Sequence, residues 1–270
     1  MKDLQQLRDA IDEIDGNLLD LLNERALLAQ EIGRIKERNG RPVYAPERAE
    51  QLMRSLAARS TGPLGELAIR SIYREIMSAS LALEKDTVIA CEGTPGDRTH
   101  LAAKQQFGSC VRYSFHPSSE VVFESVLSGK ADCGVIPSDK NGLEAALLDL
   151  LAGDGIHFCS QIVPSDDEGT VSTRYFVLGT SLNPPSGDDQ SALLIHLEVK
   201  PNCLDSTLKP FKVAGVNVLA FHHRRSSRGG VNLFLEVDGH ASAPPLQQAL
   251  KELNVRGLTV KVCGSFPRFH

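Results

Sequence analysis

An apolar repeat across residues 4–38 constrains the fold of this chain more than any other feature of its sequence. Leucine and isoleucine recur there at near-heptad spacing, at Leu4, Leu7, Ile11, Ile14, Leu18, Leu21, Leu28, Ile32 and Ile35. This spacing predicts one long helix, from about Leu4 to Arg38, that buries a single apolar stripe against other helices.

Two cations interrupt the stripe. Arg25 occupies one of its positions, and Lys36 follows eleven residues later, which at ~100° per residue returns to nearly the same face. A cation in an apolar stripe is costly unless an anion meets it. Either a carboxylate of another helix neutralises these side chains, or they line a pocket for an anionic molecule, and the stripe leaves both interpretations open.

Length and composition narrow the class of protein. The 270 residues are enough for two or three small domains, and the net charge of −5 does not favour nucleic acid or an anionic membrane as a partner. Asp3 and Gln6 are placed like a capping box, which argues against a signal peptide, and no apolar run approaches the ~20 residues that span a bilayer. The six cysteines lack C-x-x-C spacing, so we expect free thiols in a cytoplasmic protein, with no metal site.

Two more helices are predicted before residue 87. Gly40-Arg41-Pro42 ends the first helix, and Pro46 suits the first turn of a second that runs to about Ala58. A third runs from about Leu64 to Lys85.

Polar residues interrupt the apolar stripes of the first and third helices at Arg25, Lys36, Ser80 and Glu84, and Arg48 lies early in the second helix. Each of them alone suits a solvated helix edge. Together they predict a cationic pocket inside a helical bundle. Such a pocket suits a small dianion, because guanidinium groups hold carboxylates in a fixed geometry.

Arg8 adds a constraint on assembly. It precedes Lys36 by twenty-eight residues, which is about 42 Å along a straight helix. The two side chains therefore share a ligand only if the long helices pair antiparallel in a dimer. Alone, Arg8 suits an exposed helix charge.

The first 86 residues resemble the all-helical chorismate mutases, and most closely the mutase domain that is fused to prephenate dehydratase. The similar segments are LRDAIDEID (7–15), LLNERALLAQEIGRIK (21–36), RPVYAPER (41–48) and YREIMSASLALE (73–84). The resemblance implies an intertwined homodimer that converts chorismate to prephenate without a cofactor or metal.

The resemblance also implies a role for each polar residue. It places three guanidinium groups on or beside the substrate carboxylates: those of Arg25, Arg48 and, from the other subunit, Arg8. Lys36 and Glu84 fall at the ether oxygen, where Glu84 helps only if protonated, and Ser80 lies near a carboxylate. A pericyclic rearrangement needs only a held conformer and stabilised charge, which these residue types supply.

Two positions depart from the family pattern. Ala49 stands where a glutamate usually helps to hold the substrate hydroxyl, and the acid appears at Glu50, about 100° away around the helix. Ala45 replaces a residue that is often polar. Losing a hydroxyl contact costs ~1–3 kcal/mol, so weakened catalysis is as consistent with the sequence as normal catalysis.

Residues 87–180 predict a small α/β domain. Strands at about 87–91, 111–115, 133–137 and 174–178 alternate with helices at about 99–107, 118–127 and 143–151, which favours a largely parallel sheet.

This region is similar to one lobe of prephenate dehydratase. Thr173-Arg174-Tyr175 matches the family's catalytic Thr-Arg-Phe, whereas Gly96-Asp97-Arg98 and the segment 137–141 depart from its motifs. A short acidic loop, 165–169, stands where a second lobe is expected. We interpret the region as a dehydratase remnant, in which Thr173 is structural and the domain a spacer or docking surface.

Residues 192–270 follow a Pro/Gly-rich linker and predict a βαββαβ order, which implies a ferredoxin-like α+β sandwich. The region resembles the ACT domain, which implies a possible aromatic amino-acid effector. Asn202-Cys203-Leu204 and His222-His223-Arg224-Arg225 replace the ligand motifs, so we expect phenylalanine binding to be impaired. Adjacent strand residues face opposite sides, so the two histidines do not predict a metal site.

Three functions remain open. The first is a chorismate mutase with an inactive dehydratase region. The second is a non-catalytic regulator of the aromatic amino-acid pathway, and the third is a residual dehydratase completed by another chain. Polar site residues are retained in the helical domain and lost in the other two, which favours the first.

Overall fold

The computed structural model describes residues 3–138, 143–164, 173–198, 203–227 and 229–268. The predicted segments 139–141, 165–169 and 199–202, and Arg228 of a predicted hairpin turn, lie outside these ranges. Within the described residues, no helix has the length and apolar character needed to cross a bilayer.

Three helices open the chain: α1 (Leu4–Arg38), α2 (Pro46–Arg59) and α3 (Glu66–Glu84). The predicted capping box of α1 is present, since Gln6 N donates to Asp3 Oδ1 at 2.8 Å and Asp3 N donates to Gln6 Oε1 at 3.2 Å. α1 packs along α3, and α2 packs on α3.

The apolar stripe of α1 is left uncovered by the rest of the chain. Leu18 is 50% exposed and Ile11 is 56% exposed, whereas Ala29 and Gly33 are the buried residues of the helix. Exposed apolar area of this extent marks an interaction surface.

A mixed sheet of five strands follows. Its elements are β1 (Val88–Glu92), α4 (Arg98–Phe107), β2 (Arg112–His116), α5 (Ser119–Leu127), β3 (Cys133–Ser138), α6 (Ala145–Leu151), β4 (His157–Ile162) and β5 (Arg174–Gly179). The strand order is β2-β1-β3-β5-β4. β1 pairs in parallel with β2 and β3, whereas β5 pairs antiparallel with both β3 and β4.

The predicted parallel arrangement therefore fails at one strand: β5 runs antiparallel to both of its neighbours, and its partner β4 was not predicted. β4 carries no alternating pattern, because nearly all of its residues are buried. Eleven residues separate β4 from β5. A parallel crossover needs a dozen or more, which explains the antiparallel pairing.

The last part of the chain forms a four-stranded antiparallel sheet. Its elements are β6 (Asp189–Leu197), α7 (Cys203–Val213), β7 (Val218–Arg225), β8 (Val231–Asp238), α8 (Pro244–Val255) and β9 (Val260–Pro267). The order β7-β8-β6-β9 and the βαββαβ succession are those of the predicted ferredoxin-like sandwich. The limits predicted for the domains, 1–86, 87–180 and 192–270, stay a prediction.

The two sheets share a core. Phe158 of β4 and Phe176 of β5 pack against Phe234 of β8 and Phe266 of β9. At Gly264 a Cβ atom would stand 2.0 Å from the carbonyl oxygen of Phe158, so only glycine permits this approach of β9 to β4. The sheet contact is therefore fixed by backbone as well as by side chains.

Candidate active site

One cavity of about 620 Å³ lies between the three N-terminal helices and the five-stranded sheet. Its volume falls within the ~300–1,000 Å³ range of small-molecule sites. Five of the six predicted site residues line it: Arg25, Lys36, Arg48, Ser80 and Glu84. The fold thus brings together side chains from α1, α2 and α3.

Lys36 and Glu84 meet where α1 and α3 approach most closely. Lys36 Nζ donates to Glu84 Oε2 at 2.8 Å and to the carbonyl oxygen of Val43 at 2.7 Å. For Lys36, the internal ion pair considered from the sequence is therefore present. The pair lies on the wall of the cavity, so both charges are available to a molecule that enters it.

Arg25, unlike Lys36, contacts a hydroxyl group and not a carboxylate. Its Nη1 donates to the hydroxyl of Ser80, which in turn donates to the carbonyl oxygen of Ile76 at 2.9 Å. Among the described residues, no carboxylate pairs with Arg25 or with Arg48. The cavity wall thus carries two guanidinium groups whose charge is not neutralised by the described chain.

Glu50, the acid next to Ala49, also lines the cavity but is engaged by neighbouring arginines. Glu50 is buried, and its carboxylate accepts hydrogen bonds from Arg54 Nε at 3.2 Å and from Arg70 Nη1 at 3.2 Å. It ties α2 to α3 and holds Arg70 on the cavity wall. Ala49 and Ala45 line the cavity with methyl groups only.

Other lining residues were not predicted. Arg70 and Arg74 lie one turn apart on α3, and their spacing with Met77, Leu81 and Glu84 was the available signal. Gln106, Phe107 and Ile162 belong to the five-stranded sheet and its helix α4 and close the cavity from outside the helical bundle. No local sequence pattern indicates that these three residues line the cavity.

Arg8 lies outside the cavity, near the N-terminal end of α1, and is exposed. The structure of one chain therefore does not bring it to the other five residues. The prediction that a second subunit supplies it remains a prediction.

The dehydratase-like motif is engaged elsewhere. Arg174 Nη1 and Nη2 donate to Glu236 Oε2 and Oε1 of β8 at 3.0 and 2.9 Å, and Glu236 is 1% exposed. Thr173 is half-buried beside it. Asp97 caps α4 through a hydrogen bond from His100 N at 2.9 Å, so the segment 96–98 serves as a capped turn.

The predicted effector region is only partly described. Cys203 begins α7, and His222 lies on β7. That phenylalanine binding is impaired there stays a prediction.

A glycine sets the distance between Lys36 and Glu84, which yields a first testable prediction. A Cβ atom at Gly33 would stand 2.8 Å from both the Cα and the carbonyl oxygen of Glu84. Because backbone atoms cannot move aside without separating the helices, Gly33→Ala is expected to lower the free energy of unfolding by about 1–3 kcal/mol. Urea unfolding measures the loss.

Gly16→Ala provides the matched control on the same helix. No described atom lies within 4 Å of the Cβ that it adds, and it is expected to stabilise the helix by about 0.5–1 kcal/mol. If Gly33→Ala were as stable as the unchanged protein, α1 and α3 would not approach as closely as described.

Comparisons with known proteins identify a family match for the helical region and relatives that align with nearly the full chain. Residues 7–85 match the family described as chorismate mutase type II. The bifunctional chorismate mutase/prephenate dehydratase of Aquifex aeolicus is 26% identical over 357 aligned positions, which cover 99% of each chain. That of Pseudomonas aeruginosa is 24% identical and covers 98% of each.

The length of the alignment is informative. Since this chain has 270 residues, at least 87 of the 357 positions aligned with the Aquifex protein have no counterpart in it. Among solved structures, the prephenate dehydratase of Arthrobacter aurescens in complex with L-Phe has a TM-score of 0.57 at 17% identity, and the likeness covers 67% of this chain and 90% of that one. This second likeness concerns the fold alone.

Proposed function

We propose that this chain converts chorismate to prephenate, because residues 7–85 match the type II chorismate mutase family and the full chain is similar to bifunctional chorismate mutase/prephenate dehydratases. The observation that carries the proposal is the single cavity in which Arg25, Lys36 and Arg48 converge. Two of these cations have no carboxylate partner among the described residues, which suits a doubly anionic substrate.

The reaction needs no nucleophile from the protein. Within one molecule a C–O bond breaks while a C–C bond forms, and negative charge develops on the ether oxygen. Arg25 and Arg48 hold the two carboxylates, so that the reactive conformer is selected. Lys36, fixed by Val43 and Glu84, donates a hydrogen bond to the ether oxygen as its charge develops. Ser80 orients Arg25, and Glu84 orients Lys36.

We further propose that the active form is a dimer of α1 helices. The exposed stripe of α1, with Ile11 56% and Leu18 50% exposed, needs an apolar partner of equal length. A second copy supplies the same stripe in the opposite direction, in the self-complementary manner of a two-fold interface. Antiparallel pairing carries Arg8 of one subunit toward the cavity of the other.

Loss of dehydratase activity is part of the proposal. Arg174, the matching arginine of the catalytic motif, is held by both oxygens of the buried Glu236. At least 87 positions of the Aquifex relative are missing, about the size of a small lobe. Without a second lobe, water has access to whatever binds the first.

Product analysis tests the proposed mutase activity and the proposed loss of dehydratase activity together. Purified protein is incubated with chorismate, and separately with prephenate, and products are identified by liquid chromatography. We expect prephenate from chorismate, and no phenylpyruvate at neutral pH from either. Chorismate that stays intact would favour a non-catalytic, ligand-sensing protein, and phenylpyruvate formed without added acid would favour a residual dehydratase.

A further inference from the structure

The loop between α1 and α2 places one aromatic side chain, that of Tyr44, in the core of the α/β domain. Tyr44 is 9% exposed, lines the cavity with one edge, and belongs to the core cluster formed by β1, β3, β4, β5 and α4. Its ring packs on Phe107 with 4.7 Å between the centroids, and its phenol oxygen accepts a hydrogen bond from Gln106 Nε2 at 2.6 Å. The last turn of α4 therefore holds Tyr44 by a ring contact from Phe107 and a hydrogen bond from Gln106.

The same loop contacts Lys36 directly. The carbonyl of Val43, one residue before Tyr44, accepts from Lys36 Nζ at 2.7 Å, and Glu84 accepts from it at 2.8 Å. An ammonium group has three N–H donors, so these two contacts leave one for a molecule in the cavity. The direction of that third donor depends on where the Val43 carbonyl stands.

We propose that Tyr44 is a positioning residue for Lys36, through which the α/β domain sets the geometry of the mutase site from outside the helical bundle. The inference rests on the proposed mutase function, because it concerns the group that meets the ether oxygen. It also gives the α/β domain a part in catalysis, although that domain's own matching arginine is bound to Glu236.

Tyr44→Leu tests the inference in the full chain. The substitution keeps an apolar side chain in the core but removes the ring contact with Phe107 and the acceptor for Gln106. The loop between α1 and α2 can then shift. The Val43 carbonyl that accepts a hydrogen bond from Lys36 is no longer held in one position. Because Lys36 acts on charge that develops only in the transition state, kcat for chorismate is expected to fall about tenfold while KM stays within about twofold.

Tyr113→Leu is the matched control. Tyr113 packs against the same core cluster, and its hydroxyl donates to the carbonyl oxygen of Gly108 at 2.6 Å, but it does not line the cavity. A comparable loss of thermal stability with an unchanged kcat is expected. Tyr44→Phe removes the hydroxyl alone, should lower kcat about threefold, and serves if the leucine variant does not fold.

Gln106→Leu distinguishes an effect of Gln106 that acts through Tyr44 from a direct contact between Gln106 and the substrate. Gln106 itself lines the cavity, so it has two possible routes to the substrate. If it acts through Tyr44, adding Gln106→Leu to Tyr44→Leu lowers kcat no further. A multiplicative loss in the double variant would overturn the proposed route.

Two other results would also overturn the inference: equal losses of kcat in Tyr44→Leu and Tyr113→Leu, or an unchanged kcat in Tyr44→Leu, whether or not KM is raised. Absence of chorismate turnover by the unchanged protein is a different result. It would refute the proposed function itself and the inference with it.

Discussion

Lys36→Met is expected to lower kcat for chorismate by about 10²–10³-fold, which is the usual cost of removing one donor aimed at developing charge. Methionine preserves the length of the side chain and removes the ammonium group. The arginines that we propose to hold the carboxylates remain, so KM should change little. Steady-state assays of chorismate disappearance, with circular dichroism to verify folding, measure the effect.

Arg34→Met is the control for this change. Arg34 lies on the same helix two residues away, is exposed, and does not line the cavity. The same loss of positive charge there should leave kcat unchanged. A Lys36→Met variant that is folded and as active as the unchanged protein would remove Lys36 from the mechanism.

Arg8→Ala and Arg25→Ala are each expected to lower kcat/KM for chorismate by about 10- to 100-fold, because each removes a guanidinium group that we propose to contact a substrate carboxylate. Their mixture should behave differently from either alone. In a dimer with shared sites, a mixed pair contains one site with its own Arg25 and the partner's intact Arg8. Random exchange of subunits should therefore restore about a quarter of the unchanged activity.

The mixture is prepared by unfolding and refolding the two variants together, and each variant alone is refolded in parallel as a control. Recovery above the sum of the two separate activities requires that Arg8 acts across subunits. If the mixture shows only the average of the two variants, each site is built from a single chain and the antiparallel dimer is wrong.

The helical part of the fold was predictable because its signals are local. The heptad stripe, the capping box at Asp3 and Gln6, and Pro46 at the start of α2 lie within a few residues of the boundaries that they determine. The predicted span of the first helix, Leu4–Arg38, is confirmed. The βαββαβ order at the end of the chain was likewise predictable from alternating elements and turns.

The sheet of the middle region was predicted less well. β4 contains Ser160 and Gln161 and is buried on both faces, so it shows neither alternation nor a continuous apolar run. Its position at the sheet edge follows from packing against β9 of the last domain. A contact between distant segments of this kind leaves no local pattern.

The distinction between local signals and contacts of distant segments also applies to the candidate site. Arg25, Lys36, Ser80 and Glu84 interrupt stripes whose spacing is visible, and the structure places them on one cavity with Arg48. By contrast, Gln106 meets Tyr44 and Glu236 meets Arg174 across 62 residues in both cases. These two contacts join the α/β domain to the helical domain and to the last sheet, and neither has a signature in the sequence.

The central claim is that the cations of the first three helices hold a doubly anionic substrate for rearrangement. Its most direct test compares the turnover of chorismate by the unchanged protein and by the double variant Arg25→Ala/Lys36→Met, followed by proton NMR. We predict that the unchanged protein forms prephenate far faster than the uncatalysed reaction and that the folded double variant is about 10³–10⁵-fold slower than the unchanged protein, the product of the two single losses. Equal rates for the two proteins would contradict the claim.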